Sequence, residues 1–266
     1  MTGIRILSTD FDGTLITHGS DGRCSASLAA VLAAFKSSGG LWAINTGRSL
    51  EHTIEGIEKF HSPVTPDFVL TNEREIYRRS AGGDWHDHGT WNNICHERHR
   101  ALFEKSAPIL AAIEELALSS QDARIVYEGE TPAGIVTVNE EAMDRMVDGI
   151  QKHGAKHPEF HFQRNTIYLR FCHRDYHKGA ALGELCRLEG IDRDSVFAAG
   201  DHYNDISMLD GTYAAMTACP SNAIQEIKDV VVRSQGYVAG LTGGDGIAEA
   251  IEYFQKKRPR HREAVA

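Results

Sequence analysis

The chain has 266 residues, of which 41% are hydrophobic and 24% charged. Those proportions are ordinary for a soluble globular protein, and the length suits one large domain or a core with a second module. No apolar run approaches eighteen residues and the start lacks a basic-then-apolar leader, so the sequence predicts no membrane span and a cytoplasmic location. The formal charge is −9. The last eleven residues, KKRPRHREAVA, contribute about +4 of this balance, leaving roughly −13 on the rest, a poor surface for nucleic acid.

In chain order, Ile4, Ile6 and Leu7 mark a short buried strand that runs into Asp10-Phe11-Asp12-Gly13-Thr14. Leu28, Val31, Leu32 and Phe35 then recur at helical spacing, with Ser25 as cap and Gly39-Gly40 as stop. LWAIN is a second strand ending in Thr46-Gly47-Arg48, residues 50–60 form a second helix, and DFVLTN a third strand. Strands alternating with helices indicate a parallel sheet with helices on its faces.

Near Glu75 the rhythm changes. EIYRR and GGDWHDHG read as strand and turn, and residues 93–118 as a long helix with a possible interruption at Pro108. ARIVYEG with AGIVTV forms one hairpin, residues 139–154 a helix capped by Asn139, and FHFQRNTIYLRFC a second hairpin turning at Arg164-Asn165. From His177 the first rhythm returns: a helix opening at Lys178, the strand SVFAAG leading into Asp201-His202-Tyr203-Asn204-Asp205, strands at YAAMTA and DVVVRS, and a last helix at GIAEAIEYF. The predicted architecture is α/β, a Rossmann-like parallel core interrupted by an α+β module. The core spans residues 1–73 and 176–255, the module 74–175, and residues 256–266 form a basic, disordered tail.

In open parallel sheets, ligands bind beyond the carboxyl ends of the strands, and here those ends carry carboxylates, a hydroxyl, an amide and an ammonium. A carboxylate can attack phosphorus, splitting one hard displacement into two through an aspartyl-phosphate. Because a phosphate dianion repels it, cations are required. Mg²⁺ prefers oxygen ligands, and Asp10, Asp12, Asp201 and Asp205 are its candidate ligands. Lys178 supplies a second positive charge, and Asn204 lies near enough to orient ligands. Thr46 and the backbone amides up to Gly13 donate to the transferring group. Asp10 is the candidate nucleophile, and Asp12 the acid that protonates the leaving oxygen and later deprotonates water.

The motifs DFDGT, NTGR, HKG and GDHYND, in that order, resemble the four motifs of the haloacid dehalogenase superfamily of phosphatases. The insertion is similar to that superfamily's subclass IIB cap. LTNEREIYRR resembles the strand-to-cap segment of sucrose-phosphate phosphatases and of the related Cof-type group, though those proteins usually carry small residues where this chain has Asn72-Glu73-Arg74. The resemblance implies a Mg²⁺-dependent phosphatase acting on a small phosphate ester of the sugar-phosphate kind, with Gly47 and Arg48 helping to hold substrate. Two alternatives accompany it: a phosphomutase of the phosphomannomutase kind, and a phosphate-binding regulator without catalysis, against which the second acid Asp12 argues. Sequence leaves the oligomeric state open.

Competing site readings are weaker. An EF-hand at Asp201 fails because Ile206 follows Asp205 where a loop glycine is required. His86, His88, Cys95, His96 and His99 match no zinc spacing and read as exposed residues of a turn and helix. His153, His157 and His161 recur every four residues, but Pro158 breaks the helix that would align them. Five scattered cysteines without a C-x-x-C support neither a disulfide framework nor a zinc ribbon. His202, inside the fourth motif, and the hairpin residues Arg164 and Asn165 are secondary candidates.

Overall fold

The structure, a computed structural model, describes residues 3–17, 19–155 and 157–257. The chain divides into two compact units, one of residues up to Gly89 with those from Lys178 onward, the other Thr90–His177.

In the first unit, β1 (Ile6–Thr9), α1 (Ala26–Ser37), β2 (Leu41–Asn45), α2 (Leu50–Phe60) and β3 (Phe68–Thr71) follow the predicted alternation. Ser25 caps α1, its side chain accepting from the Leu28 amide at 3.3 Å. The sheet continues with β4 (Glu75–Arg79) and β5 (Trp85–Asp87), which pair antiparallel to β3 and to each other. Residues 75–89, expected in the inserted module, therefore extend the large sheet. Backbone pairing decides this: Leu70 faces Ile76 and Val69 faces Tyr77 across a tight turn.

In the second unit come α3 (Trp91–Lys105), α4 (Ala107–Leu118), β6 (Ala123–Glu128), β7 (Thr131–Thr137), α5 (Glu140–Gly154), β8 (Phe160–Asn165) and β9 (Tyr168–His173). The long helix breaks at Ser106, two residues before Pro108, since proline is accepted in a first helical turn but not an interior. Asn139 caps α5 as expected. The second hairpin turns at Thr166-Ile167 rather than Arg164-Asn165, because Asn165 still pairs with Tyr168. The strands form an antiparallel sheet in the order β6-β7-β9-β8. Ile113, Met143, Ile150, Leu169 and Phe171 pack its core.

The first unit resumes with α6 (Lys178–Glu189), β10 (Val196–Ala199), α7 (Ile206–Leu209), β11 (Met216–Cys219), α8 (Gln225–Arg233), β12 (Tyr237–Val238) and α9 (Gly243–Lys257). The strand expected at DVVVRS is instead the end of α8. Three consecutive valines favour a strand locally, but Ile227, Val230 and Val231 fall on one buried helical face while Val232 is left exposed. Lys256 and Lys257, expected in a disordered tail, form the last turn of α9; the rest of that expectation, 258–266, lies outside the described residues.

The large sheet runs β12-β11-β10-β1-β2-β3-β4-β5, and the strands from β12 to β3 are parallel. Strands covered on both faces need continuous apolar sequence, which is why β1 and β10 are buried at every position. Trp42, Phe60, Phe197, Ile247 and Phe254 anchor the core. Trp42 is fully buried, its indole N–H donating to the Thr9 hydroxyl at 3.2 Å. Since β1 lies between β2 and β10, chain order reverses there, and the carboxyl ends of these three strands are where open parallel sheets bind ligands.

Candidate active site

Asp10 follows β1, and its amide is held by the Ala199 carbonyl at 2.8 Å, so the nucleophile candidate is fixed to β10. Lys178, at the start of α6, is fully buried. Its ammonium donates to Asp10 Oδ1 at 2.6 Å and to Asp205 Oδ1 at 2.7 Å. Asp205 Oδ2 accepts from the backbone amides of Asp201 and His202 at 2.8 and 3.0 Å, which locks the loop after β10. Thr14 Oγ1 donates to Asp201 Oδ1 at 2.6 Å. The carboxylates of Asp10, Asp201 and Asp205 bring oxygen atoms within 4.8 Å of one another.

Gly13 makes that convergence possible. Its φ is +85°, and a Cβ there would stand 2.2 Å from Asp201 Oδ2. Any side chain would drive Asp201 out of the cluster. Asn222 secures the same turn, donating to the Gly13 carbonyl at 2.7 Å while accepting from the Gly243 amide at 2.8 Å. Behind the cluster, Asn45 Nδ2 donates to the Lys178 carbonyl at 3.0 Å, tying β2 to α6.

The electrostatics are unbalanced. Three carboxylates face one ammonium, so with all ionised the group carries two uncompensated negative charges. Burial, with the charges of Asp205 and Asp201, raises the Asp10 carboxyl well above the ordinary range, despite the ammonium. Asp201 is pushed up to about 7, by burial first and by Asp205 second. Burial acts to lower Lys178, but the Asp10 and Asp205 carboxylates outweigh it and hold the ammonium charged.

A divalent cation fits this donor set. The ligating atoms are all oxygen, the charge deficit is two, and the buried Asn204 Oδ1 has no hydrogen-bond partner among the described residues. Among those residues this is the cluster of acidic, histidine and cysteine side chains that could hold a metal. No such group forms around His86, His88, Cys95, His96 and His99. Cys95 and His99, expected to be exposed, are buried in α3, and His88 meets Glu189 at 2.8 Å.

The carboxylate of Asp12, expected among the metal ligands, is not part of the cluster. Arg48 grips it at both oxygens, Nε to Oδ2 at 2.7 Å and Nη2 to Oδ1 at 2.5 Å, while stacking over the Phe11 ring at 4.9 Å. Arg48 thus has a partner no motif announces. Thr46 is buried beside it, its hydroxyl accepting from the Arg48 amide at 3.2 Å. Asn204 Nδ2 donates to Glu73 Oε1 at 3.0 Å, and Gly47 lies against the same carboxylate. Sequence reasoning gave no role to Thr14, Asn45, Glu73 or Asn222. Thr14 and Asn45 stood inside quoted motifs and Glu73 inside the segment that departs from the resembled group, whereas Asn222 carried no signal beyond being a polar residue at a turn. A groove of about 510 Å³ in the second unit, lined by Phe103, Leu110, Glu104 and Glu114 among others, holds no comparable cluster of nucleophile and cation.

A family model described as sucrose-6F-phosphate phosphohydrolase matches residues 4–255. The sucrose-phosphatase of Synechocystis sp. PCC6803, solved with sucrose and phosphate, shares the fold with a TM-score of 0.70 and 20% identity, over 96% of this chain and 99% of that one. The HAD subclass IIB sugar phosphatase BT4131 is similar with a TM-score of 0.63 and 18% identity, over 94% and 99% of the two chains. Among curated relatives, a glucosylglycerol-phosphate synthase of Pseudomonas anguilliseptica is 27% identical over 94% of this chain and 30% of its own length. A phosphoglycolate phosphatase of Methanobrevibacter smithii is 39% identical over 29% of this chain and 30% of its own length. The matches span about a third of the length of these curated relatives. With nearly its whole length matched by the family model, the chain belongs to the sucrose-6F-phosphate phosphohydrolase family.

Proposed function

We propose that this chain is a Mg²⁺-dependent phosphatase that hydrolyses the phosphate monoester of a small sugar or sugar-like alcohol through an aspartyl-phosphate. The observation carrying the reading is the contact of Asp10 with Lys178 inside a cluster of three carboxylates, a nucleophile already beside one cation and short of a second. Asp10, Asp201 and Asp205 would hold the metal, with Asn204 beside them. When bound, the cation supplies charge neutralisation and Lewis acidity toward the phosphoryl oxygens.

In the first step an Asp10 carboxylate oxygen bonds to phosphorus while the bond from phosphorus to the ester oxygen breaks. Asp12 gives the departing alkoxide a proton. In the second step Asp12 takes a proton from water as that water attacks phosphorus, the Asp10–phosphorus bond breaks, and inorganic phosphate leaves. Lys178 stabilises charge on the phosphoryl oxygens, and the Thr46 hydroxyl donates to them, whereas the Gly13 amide, expected from the sequence to donate as well, is taken by the Ile16 carbonyl at 2.7 Å. Arg48 holds the ionised Asp12 carboxylate through both oxygens, so serving as proton donor requires Asp12 to leave that pairing for the ester oxygen. The setting proposed is cytoplasmic, a reading supported by five cysteines that form no disulfide.

The test is phosphate release across a panel containing sucrose 6-phosphate, glucosylglycerol phosphate and phosphoglycolate, with and without Mg²⁺. Release from a sugar ester that stops on chelation is the expected result. Isomerised ester without free phosphate would replace this reading by the mutase, and silence on every ester by the phosphate-binding regulator.

A further inference from the structure

We propose that Arg48 is a positioning residue that sets the ion selectivity of the cation site. By keeping the Asp12 carboxylate to itself it withholds a further oxygen ligand, which leaves a site suited to Mg²⁺ rather than to the larger Ca²⁺. The inference rests on the cation site of the phosphatase reading above.

Asp12 starts close to the acidic cluster. It lies two residues after Asp10, so the two Cα atoms are at most about 7 Å apart. As an oxygen donor its side chain is identical to those of Asp10, Asp201 and Asp205. Residue identity and proximity therefore offer four ligands, and the structure gathers three. The fourth is turned to Arg48, whose Nε and Nη2 donate to its two oxygens at 2.7 and 2.5 Å.

Arg48 is itself held from several sides. Its guanidinium stacks over the Phe11 ring at 4.9 Å, and Nη1 donates to the His52 carbonyl at 3.3 Å. Its backbone amide donates to the Thr46 hydroxyl at 3.2 Å, and its carbonyl accepts from the Asn72 amide at 2.8 Å. Gly56, buried in the middle of α2, leaves room for the head group. A Cβ there would collide with Arg48 Nη1 and stand 2.8 Å from Phe11 Cε1. Glycine weakens a helix interior relative to alanine. Here α2 gives up helical propensity at a position where a methyl group would push the guanidinium off Asp12.

Ligand number separates the two ions. Mg²⁺ keeps several waters and typically takes about one or two carboxylates, whereas Ca²⁺ accepts about six to eight oxygens in flexible geometry. Within the cluster, Asp205 engages Oδ1 with Lys178 and Oδ2 with backbone amides. Asp10 and Asp201 each keep one oxygen outside the hydrogen bonds to Lys178 and Thr14. That is the carboxylate supply Mg²⁺ uses. Released from Arg48, Asp12 would add two more anionic oxygens, a donor set of the Ca²⁺ kind. Because both ions carry two charges, a rise in local negative charge strengthens both together, whereas a new ligand moves their ratio.

The experiment reads metal binding, not turnover. Calorimetry gives the Mg²⁺ and Ca²⁺ affinities of the parent, of Arg48→Met, of Gly56→Ala, and of Arg48→Met combined with Asp12→Asn. Luminescence lifetimes of bound Tb³⁺ in H₂O and D₂O count the waters left on the ion. Arg48→Met is expected to shift the affinity ratio toward Ca²⁺ by about tenfold or more and to remove about one or two waters from Tb³⁺. Adding Asp12→Asn should return both readings to those of the parent. Should Arg48→Met fail to fold, Gly56→Ala decides by the same readings, since it loosens the grip without changing any charge; its expected shift is about threefold or more. A ratio constant within about twofold, a parallel change for both ions, an unchanged water count, or a shift that survives Asp12→Asn overturns the proposal. A parent that binds neither ion overturns it as well. Phosphate release by the parent is assayed separately. Its absence from every ester, with the stated shifts in place, sinks the phosphatase reading and leaves the role of Arg48 standing.

Discussion

In the second unit His99 lies buried with its Nδ1 donating to the Cys95 carbonyl at 2.8 Å and its Nε2 accepting from the His173 amide at 3.1 Å. His173, equally buried, accepts at Nδ1 from the Asp175 amide at 3.1 Å, and Tyr176 packs edge-on against both rings. In the first unit Asp10, Lys178 and Asp205 are buried as deeply, yet their charges do not cancel. Both places hide polar groups from water and satisfy many hydrogen bonds. They differ in electrical balance, and imbalance maintained inside a fold is the feature that points to a bound cation and to chemistry. Buried histidines and a cysteine close together are, by contrast, well explained as core packing with matched donors and acceptors.

The comparison can be broken most decisively at Asp10. Asp10→Asn should lower phosphate release by about four orders of magnitude or more while the circular dichroism spectrum is kept, since shape remains and the nucleophile is gone. Retained turnover would reduce the first cluster to structure, like the second. Asp12→Asn should slow turnover by about 10²–10⁴-fold, the range for loss of one positioned acid and base. If mass spectrometry after mixing with substrate then finds no accumulated phosphoprotein, Asp12 does not serve the second step.

Stability sharpens the contrast further. Lys178→Met strands three carboxylates around an apolar side chain and should cost about 3–5 kcal/mol in denaturant unfolding. Added Mg²⁺ should recover part of that loss; equal stability with and without the metal would contradict the charge argument. The smallest expected effect belongs to the second unit. His99→Leu leaves the His173 amide without its acceptor and should destabilise by about 1–3 kcal/mol, read from urea unfolding. Its kcat per folded molecule should stay near that of the parent, and a loss like that of Asp12→Asn would mean the two clusters are not of different kinds.

Much of this organisation was legible in advance because it depends on local rules. Apolar runs of four or five residues gave β1, β2, β3 and β10, and Ser25 and Asn139 marked helix starts through capping geometry. Where local preference and tertiary packing disagree, reading failed. DVVVRS favours a strand by composition, yet only the completed fold reveals that Ile227, Val230 and Val231 share a buried face. The boundary near Glu75 was misplaced for a similar reason, because nothing within EIYRR tells whether β4 pairs with β3 or with an inserted sheet. Arg48 could be listed as a site residue, but its grip on Asp12 across 36 positions is invisible to spacing.

What the amino-acid order determined by itself is the chemical inventory and where it falls along each element: acids, hydroxyl and amide after strands, and Lys178 at a helix start. Those follow from residue identity and periodicity, which act over a few residues. The three-dimensional fold alone decided which of these side chains meet. Whether a carboxylate joins the Asp10 cluster, as Asp205 does, or turns to an arginine, as Asp12 does, depends on backbone paths that bring together residues 36 positions apart, as Asp12 and Arg48, or 168 apart, as Asp10 and Lys178, and on the buried charges that each path brings within a few ångströms.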